Sequence, residues 1–106
     1  MIPECDAVQL REMLADGHPL VVLDVREAHE YEAGHLTGSV HIGKGVLERD
    51  IEKHGFSDDA RLVLYCGGGF RSAIAAQSLK QMGFSNASSL WGGWRAIVAE
   101  NLPTEQ

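Results

Sequence analysis

Two short apolar runs constrain this chain more than any other feature. Leu20 to Val25 reads LVVLDV, and Leu62 to Tyr65 reads LVLY. Both are nearly continuous in β-branched and apolar residues rather than alternating, the pattern of strands covered on both faces, as in a parallel sheet. Helical patterns lie between and around them. Asp6 with Gln9 three residues on has capping-box spacing, Leu10, Met13 and Leu14 follow at helical intervals, and Gly17 and Pro19 end the segment. A short helix is expected around His29 to Ala33, a short strand over Ser39 to Ile42 and one or two helical turns within Val46 to Lys53. Arg71 to Met82 reads as a helix stopped by Gly83, Ser88 to Trp91 as a strand and Trp94 to Asn101 as a final helix, and the closing LPTEQ reads as a frayed tail. Strands separated by helical segments pair in parallel through right-handed crossovers, with helices on both faces of the sheet. The expected fold class is α/β, as one domain spanning residues 1–106, which is too short for two self-sufficient cores.

Charge and composition narrow the functional classes. Nine Lys and Arg against fifteen Asp and Glu give a net charge of -6, and the basic residues are scattered. That balance repels phosphate backbones and anionic lipid, so neither nucleic acid nor a membrane surface is an expected partner. No apolar run approaches the roughly 18 to 20 residues of a membrane span. The N-terminal MIPECDAVQL carries acids where an export signal carries basic residues, so the cytoplasm is the expected location. Cys5 and Cys66 are expected to stay reduced there. No CxxC pair is present and no histidine has a cysteine neighbour at ligand spacing, so no metal is expected.

The segment Cys66-Gly67-Gly68-Gly69-Phe70-Arg71-Ser72 joins the end of a buried strand to the start of a helix. In open α/β sheets ligands gather at that end of the strands. A thiol there faces unpaired backbone N–H groups and the positive end of a helix dipole, with the Arg71 guanidinium near by, and all three favour thiolate over thiol. Three successive glycines let the backbone curl into a cradle of inward N–H groups through positive φ values and close approach. Such a cradle suits an oxyanion or a negatively charged terminal sulfur on Cys66. The same residues also admit a plain structural reading, a buried cysteine at a strand end followed by a tight turn. Nucleotide loops do not fit: Gly69 is followed by Phe70 and Arg71 where a P-loop needs Lys and then Ser or Thr, and Ser72 stands where a dinucleotide fingerprint needs glycine.

Three pieces of the sequence together resemble a known family: Asp24-Val25-Arg26-Glu27 followed by Glu30-Tyr31 and Gly34-His35-Leu36, the loop Cys66 to Ser72, and Leu90-Trp91-Gly92-Gly93-Trp94. Over essentially its whole length the chain resembles a single-domain rhodanese, a sulfurtransferase. The resemblance implies a central five-stranded parallel sheet flanked by helices and a cysteine that cycles between thiolate and persulfide, without cofactor. Four residues separate Cys66 from Arg71, as in the sulfurtransferases; the related phosphatases have one more. The implied reaction takes sulfur from a small anionic donor such as thiosulfate, or from a persulfide, and passes it to cyanide or a thiol, with a protein donor or acceptor as a further partner. Cys66 would be catalytic, Gly67, Gly68, Gly69, Phe70, Arg71 and Ser72 would bind substrate, Arg71 drawing in the donor and Ser72 capping the helix. Two other functions use the same residues: a persulfide carrier, sensor or protein-interaction module without turnover, and oxyanion chemistry of the phosphatase or arsenate reductase kind, which the loop length disfavours.

One departure from the family pattern matters. Many relatives place a basic or bulky polar residue inside the loop, whereas here Arg71 is its only charge. Weaker thiosulfate binding and a neutral or protein-bound persulfide donor are the expectation. Outside the loop, Asp24 and Arg26 read as a structural ion pair or loop-bracing hydrogen bonds, His35 and His41 as backbone hydrogen-bonding residues rather than proton shuttles, and Trp91 and Trp94 as either a pocket wall or core. Phe70 is placed at the pocket entrance and Cys5 as an apolar staple against Leu10.

Overall fold

A computed structural model describes residues 2–68 and 70–106. In chain order the elements are β1 (Glu4–Cys5), α1 (Ala7–Ala15), β2 (Val21–Asp24), α2 (Ala28–Ala33), β3 (His35–Leu36), β4 (Val40–His41), α3 (Leu47–Asp50), β5 (Leu62–Tyr65), α4 (Phe70–Gln81), β6 (Ala87–Leu90), α5 (Gly93–Ala99) and β7 (Thr104–Glu105). Short 3-10 turns, Lys44–Val46 and Ile51–His54, flank α3. Five strands form one parallel sheet in the order β1-β6-β5-β2-β4. The two apolar runs lie side by side at its centre, with Val21 opposite Leu62 and Asp24 opposite Tyr65.

Strand periodicity divides the core into two layers. Leu62 and Leu64 of β5 pack with Leu23, Leu47, Ile51, Ala75 and Leu79, on the side of α3 and α4. Val63 and Tyr65 point the other way and pack with Val22, Ala7, Leu10 and Ile97, on the side of α1 and α5. Helices therefore cover both faces, which is why these strands carry no polar alternation. Cys66 continues the parity of Leu62 and Leu64 and falls on the α4 side.

The capping box of α1 forms as the sequence implies: the Gln9 amide N–H donates to Asp6 Oδ1 and the Asp6 amide N–H to Gln9 Oε1, each at 2.8 Å. Cys5 packs against the cluster that holds Leu10. It also pairs with Leu90 as part of edge strand β1, an element too short to leave a periodic signal.

The C-terminal segment corrects the expectation of a frayed tail. Leu102 is buried, and Thr104–Glu105 pairs antiparallel with His35–Leu36. The Thr37 amide N–H also donates to the Pro103 carbonyl at 3.0 Å. Backbone pairing in a two-residue ribbon depends little on side-chain pattern, so LPTEQ reads as tail even though Leu102 anchors it. No helix among the described residues is long and apolar enough to cross a membrane.

Topology positions the site. From β2 the chain moves outward to β4, whereas from β5 it moves the opposite way to β6. The carboxyl ends of β2 and β5 therefore flank a topological switch point, the crevice where open α/β sheets bind their ligands. Segment 25–34 emerges on one side of it and segment 66–72 on the other.

Candidate active site

Cys66 directly follows β5, is 1% exposed and belongs to the core cluster beneath α4. Its sulfur does not lie in apolar surroundings alone. The Ser72 amide N–H donates to Cys66 Sγ at 3.4 Å, and Ser72 Oγ accepts from the thiol at 3.7 Å. Ser72 Oγ is in turn 2.8 Å from the buried hydroxyl of Ser89 on the neighbouring strand β6. This corrects the expectation that Ser72 caps α4: it is the third residue of the helix, with its hydroxyl turned into the interior.

The glycines act differently from their sequence reading. Neither Gly67 nor Gly68 has a left-handed φ. A Cβ on Gly67 would meet the guanidinium NH2 of Arg71 at 3.4 Å, about ordinary contact distance. Gly68 faces open space. Gly69, the remaining glycine of the expected cradle, lies outside the described residues. Phe70 opens α4 and is 78% exposed.

Left-handed glycines occur in the other loop that meets the site. Gly92 and Gly93 have φ of +81° and +53°. A Cβ on Gly93 would overlap the Cys66 carbonyl oxygen and stand 2.9 Å from that of Gly67. This close approach lets the Trp94 amide N–H donate to the Cys66 carbonyl at 2.7 Å and the Arg95 amide N–H to the Gly67 carbonyl at 3.3 Å. The Trp-Gly-Gly-Trp segment is thus the brace of the cysteine loop, a role that its residue types alone do not announce. Trp91 is 66% exposed, whereas Trp94 packs against the core beside Tyr65.

Across the crevice, Asp24 and Arg26 form the structural pair expected of them. The guanidinium and backbone N–H of Arg26 donate to both Asp24 oxygens at 2.7–3.1 Å, and NH2 also donates to the Gly34 carbonyl at 2.6 Å. The guanidinium lies 4.6 Å from the Trp94 ring centroid. His35 Nδ1 and His41 Nε2 each lie 2.8 Å from a backbone carbonyl, of Tyr31 and Arg26 respectively, and both rings stack on Tyr31. They brace segment 25–41 through these backbone contacts, as expected of them.

Arg71 is placed otherwise than the sequence implies. Rather than standing as an unopposed charge, its guanidinium donates to both carboxylate oxygens of Glu30 on α2, at 3.1 and 3.3 Å. This pair holds the Glu30 carboxyl below its ordinary range and raises Arg71, with the Cys66 sulfur a smaller contributor to the latter. Glu30 belongs to a quoted motif, but nothing in the sequence pairs it with a residue 41 positions away.

Sequence reasoning also missed Arg95. It lines a groove of about 580 Å³ beside the loop, together with Gly68, Trp91, Gly92, Asp6 and Ala96. Among the described residues no cluster of His, Cys, Asp and Glu is arranged to hold a metal ion, and neither cysteine is in a disulfide.

Known proteins are similar to this chain in sequence and fold. The chain is 33% identical to the putative sulfur carrier protein YrkF of Bacillus subtilis, over 89% of its own length and 50% of that protein's, so it spans only half of that relative. It is 36% identical to the thiosulfate sulfurtransferase GlpE of Pseudomonas putida, over 90% of this chain and 84% of that one. The crystal structure of the Alr3790 protein from Anabaena superposes with a TM-score of 0.87 at 30% identity, covering 95% of this chain and 79% of the other. The model of the rhodanese-like domain matches residues 6–100, which takes in the crevice, the cysteine loop and its Trp-Gly-Gly-Trp brace, and the chain belongs to that family.

Proposed function

We propose that the chain is a sulfurtransferase that carries sulfane sulfur as a persulfide on Cys66. The Cys66 thiolate attacks the outer sulfur of thiosulfate; a new S–S bond forms as the S–S bond to the sulfonate breaks, and its electron pair leaves with sulfite. Cyanide or a thiolate then attacks the outer sulfur of the persulfide, forming thiocyanate or a new persulfide, and the electron pair of the Cys66 disulfide-type bond returns to regenerate the thiolate. Each half-reaction is a displacement in which charge and electrons balance without a redox partner. The family and its named sulfur carriers and sulfurtransferases support sulfur transfer in general.

One observation carries the assignment to Cys66. Its sulfur accepts an N–H from the first turn of α4 at the carboxyl end of the central strand, and the Arg71 guanidinium of the same turn is raised in part by that sulfur. Both groups provide positive potential where the thiolate, and then the terminal persulfide sulfur, must carry negative charge. Gly67, Gly68, Gly69, Phe70, Arg71 and Ser72 form the binding loop in this reading.

A carrier without turnover is the second reading. It is favoured by the likeness to a putative sulfur carrier. Non-reducing mass spectrometry separates the two. Thiosulfate adds one sulfur to the Cys66 peptide in either case, and excess cyanide removes it repeatedly, with thiocyanate produced over many cycles, only in the enzyme. A Cys66→Ala variant is expected to be folded and to transfer nothing; activity surviving in it would overturn the mechanism.

A further inference from the structure

Glu30 engages Arg71 with two hydrogen bonds while also accepting the Glu27 amide N–H at 3.0 Å on the same Oε1. The backbone at the start of α2 thus fixes the carboxylate where it meets the guanidinium. The pair is only partly exposed, with about a third of each side chain open to solvent. Arg71 is the one charged side chain of segment 66–72, and the other guanidinium of the crevice, Arg26, is buried and matched by Asp24. Within the crevice Arg71 is therefore matched by Glu30 as Arg26 is by Asp24, and Arg95 lies in the adjoining groove beside Gly68, in a chain whose net charge is -6.

We propose that Glu30 is a specificity-determining residue: by occupying Arg71 it sets the site against dianionic donors such as thiosulfate and toward donors bearing one negative charge or none. This rests on the reading of Cys66 as the sulfur-accepting residue. A like charge close to an incoming anion raises its energy in proportion to the anion's charge, so the penalty on a dianion is twice that on a monoanion. Glu30 does not touch the reacting sulfur. It acts through the potential at the mouth and through the guanidinium that it holds.

The test compares two sulfane donors that differ chiefly in charge, thiosulfate and methanethiosulfonate. With the second, the Cys66 thiolate attacks the outer sulfur, an S–S bond forms, and the bond to the sulfonyl sulfur breaks with its electron pair leaving as methanesulfinate. Persulfide formation on the whole chain is followed in the first half-reaction alone, at a pH where alkylation shows Cys66 ionised in each variant. Glu30→Gln retains an amide oxygen able to accept the Glu27 N–H, so α2 keeps its cap. It is expected to lower the half-saturating concentration about tenfold for thiosulfate and about threefold for methanethiosulfonate, as for a unit charge removed roughly 6 Å away in aqueous surroundings. Its thiosulfate rate is also expected to fall more steeply with added salt than that of the parent. Equal changes for both donors, or a loss with both, would make Glu30 a brace for Arg71 and overturn the proposal. So would a silent Glu30→Gln combined with a selective thiosulfate loss in Arg95→Gln, which would assign anion recruitment to the groove. Failure of the parent chain to take sulfur from either donor would instead strike the reading of Cys66.

Discussion

Gly93→Ala puts the brace of the cysteine loop to the test. At φ +53° an alanine pays the left-handed penalty of about 1–2 kcal/mol. Its methyl would also overlap the Cys66 carbonyl oxygen and stand 2.9 Å from that of Gly67, and both are backbone atoms that no side-chain rotation can clear. The loop must shift, which loosens the Trp94 and Arg95 amide bonds to these two carbonyls; each contributes about 0.5–1.5 kcal/mol. The combined loss is about 2–5 kcal/mol, at or below the ordinary 5–15 kcal/mol stability of a domain, so the variant is expected to stay folded. At about 4–8 °C per kcal/mol for a chain of this size, Tm falls by roughly 8–40 °C. Persulfide formation measured well below the new Tm is expected to fall by at least about tenfold, because the shift begins at the residue that carries the nucleophile. Gly92→Ala is the control: it meets the same left-handed penalty at φ +81°, but its methyl would crowd Ala96 Cβ at 2.8 Å rather than the loop. It should lose stability while retaining most of the rate per folded molecule. A Gly93→Ala variant with unchanged Tm and rate would refute the bracing role, and equal rate losses in the two variants would show that backbone strain in the Trp-Gly-Gly-Trp turn, not contact with Cys66, is what matters.

Asp24→Asn should cost about 3–5 kcal/mol by denaturant unfolding, because it leaves the buried Arg26 guanidinium without its counter-charge, and pairing it with Arg26→Leu should recover part of the loss; additive losses would contradict this. The phenols of both tyrosines are held above their ordinary value, chiefly by burial, with Asp24 adding to the shift at Tyr65. At pH 10, less tyrosinate absorbance is therefore expected from the native protein than from the chain in denaturant. Since the folded state favours the neutral phenols, the stability they contribute is intact below pH 10 and is lost as pH rises beyond it through the folded values. Coincident titrations of native and denatured protein would refute the burial argument.

The sequence was most legible where local physical chemistry decides structure. LVLY spans β5 to the residue, and Asp6 and Gln9 form their capping box, because apolar runs and caps act within a few positions. The cysteine at a strand-to-helix junction follows from the same short-range order. What local pattern does not contain is pairing across the chain. LPTEQ is polar enough to fray, yet Leu102 is buried and two further residues find a partner strand some 70 positions earlier. Glycine-rich segments are ambiguous for a related reason: a glycine marks freedom but not its use. At Gly67 a side chain would merely touch the Arg71 guanidinium, whereas at Gly93 its absence permits both a left-handed backbone and contact with the Cys66 carbonyl. Arg71 shows the largest consequence of this limit. From its own segment it reads as a lone cation waiting for an anion, but the topology that brings the carboxyl ends of β2 and β5 together delivers Glu30 to it first. The charge that a substrate meets is therefore set by the crevice formed by two loops, and a loop motif taken alone overstates it.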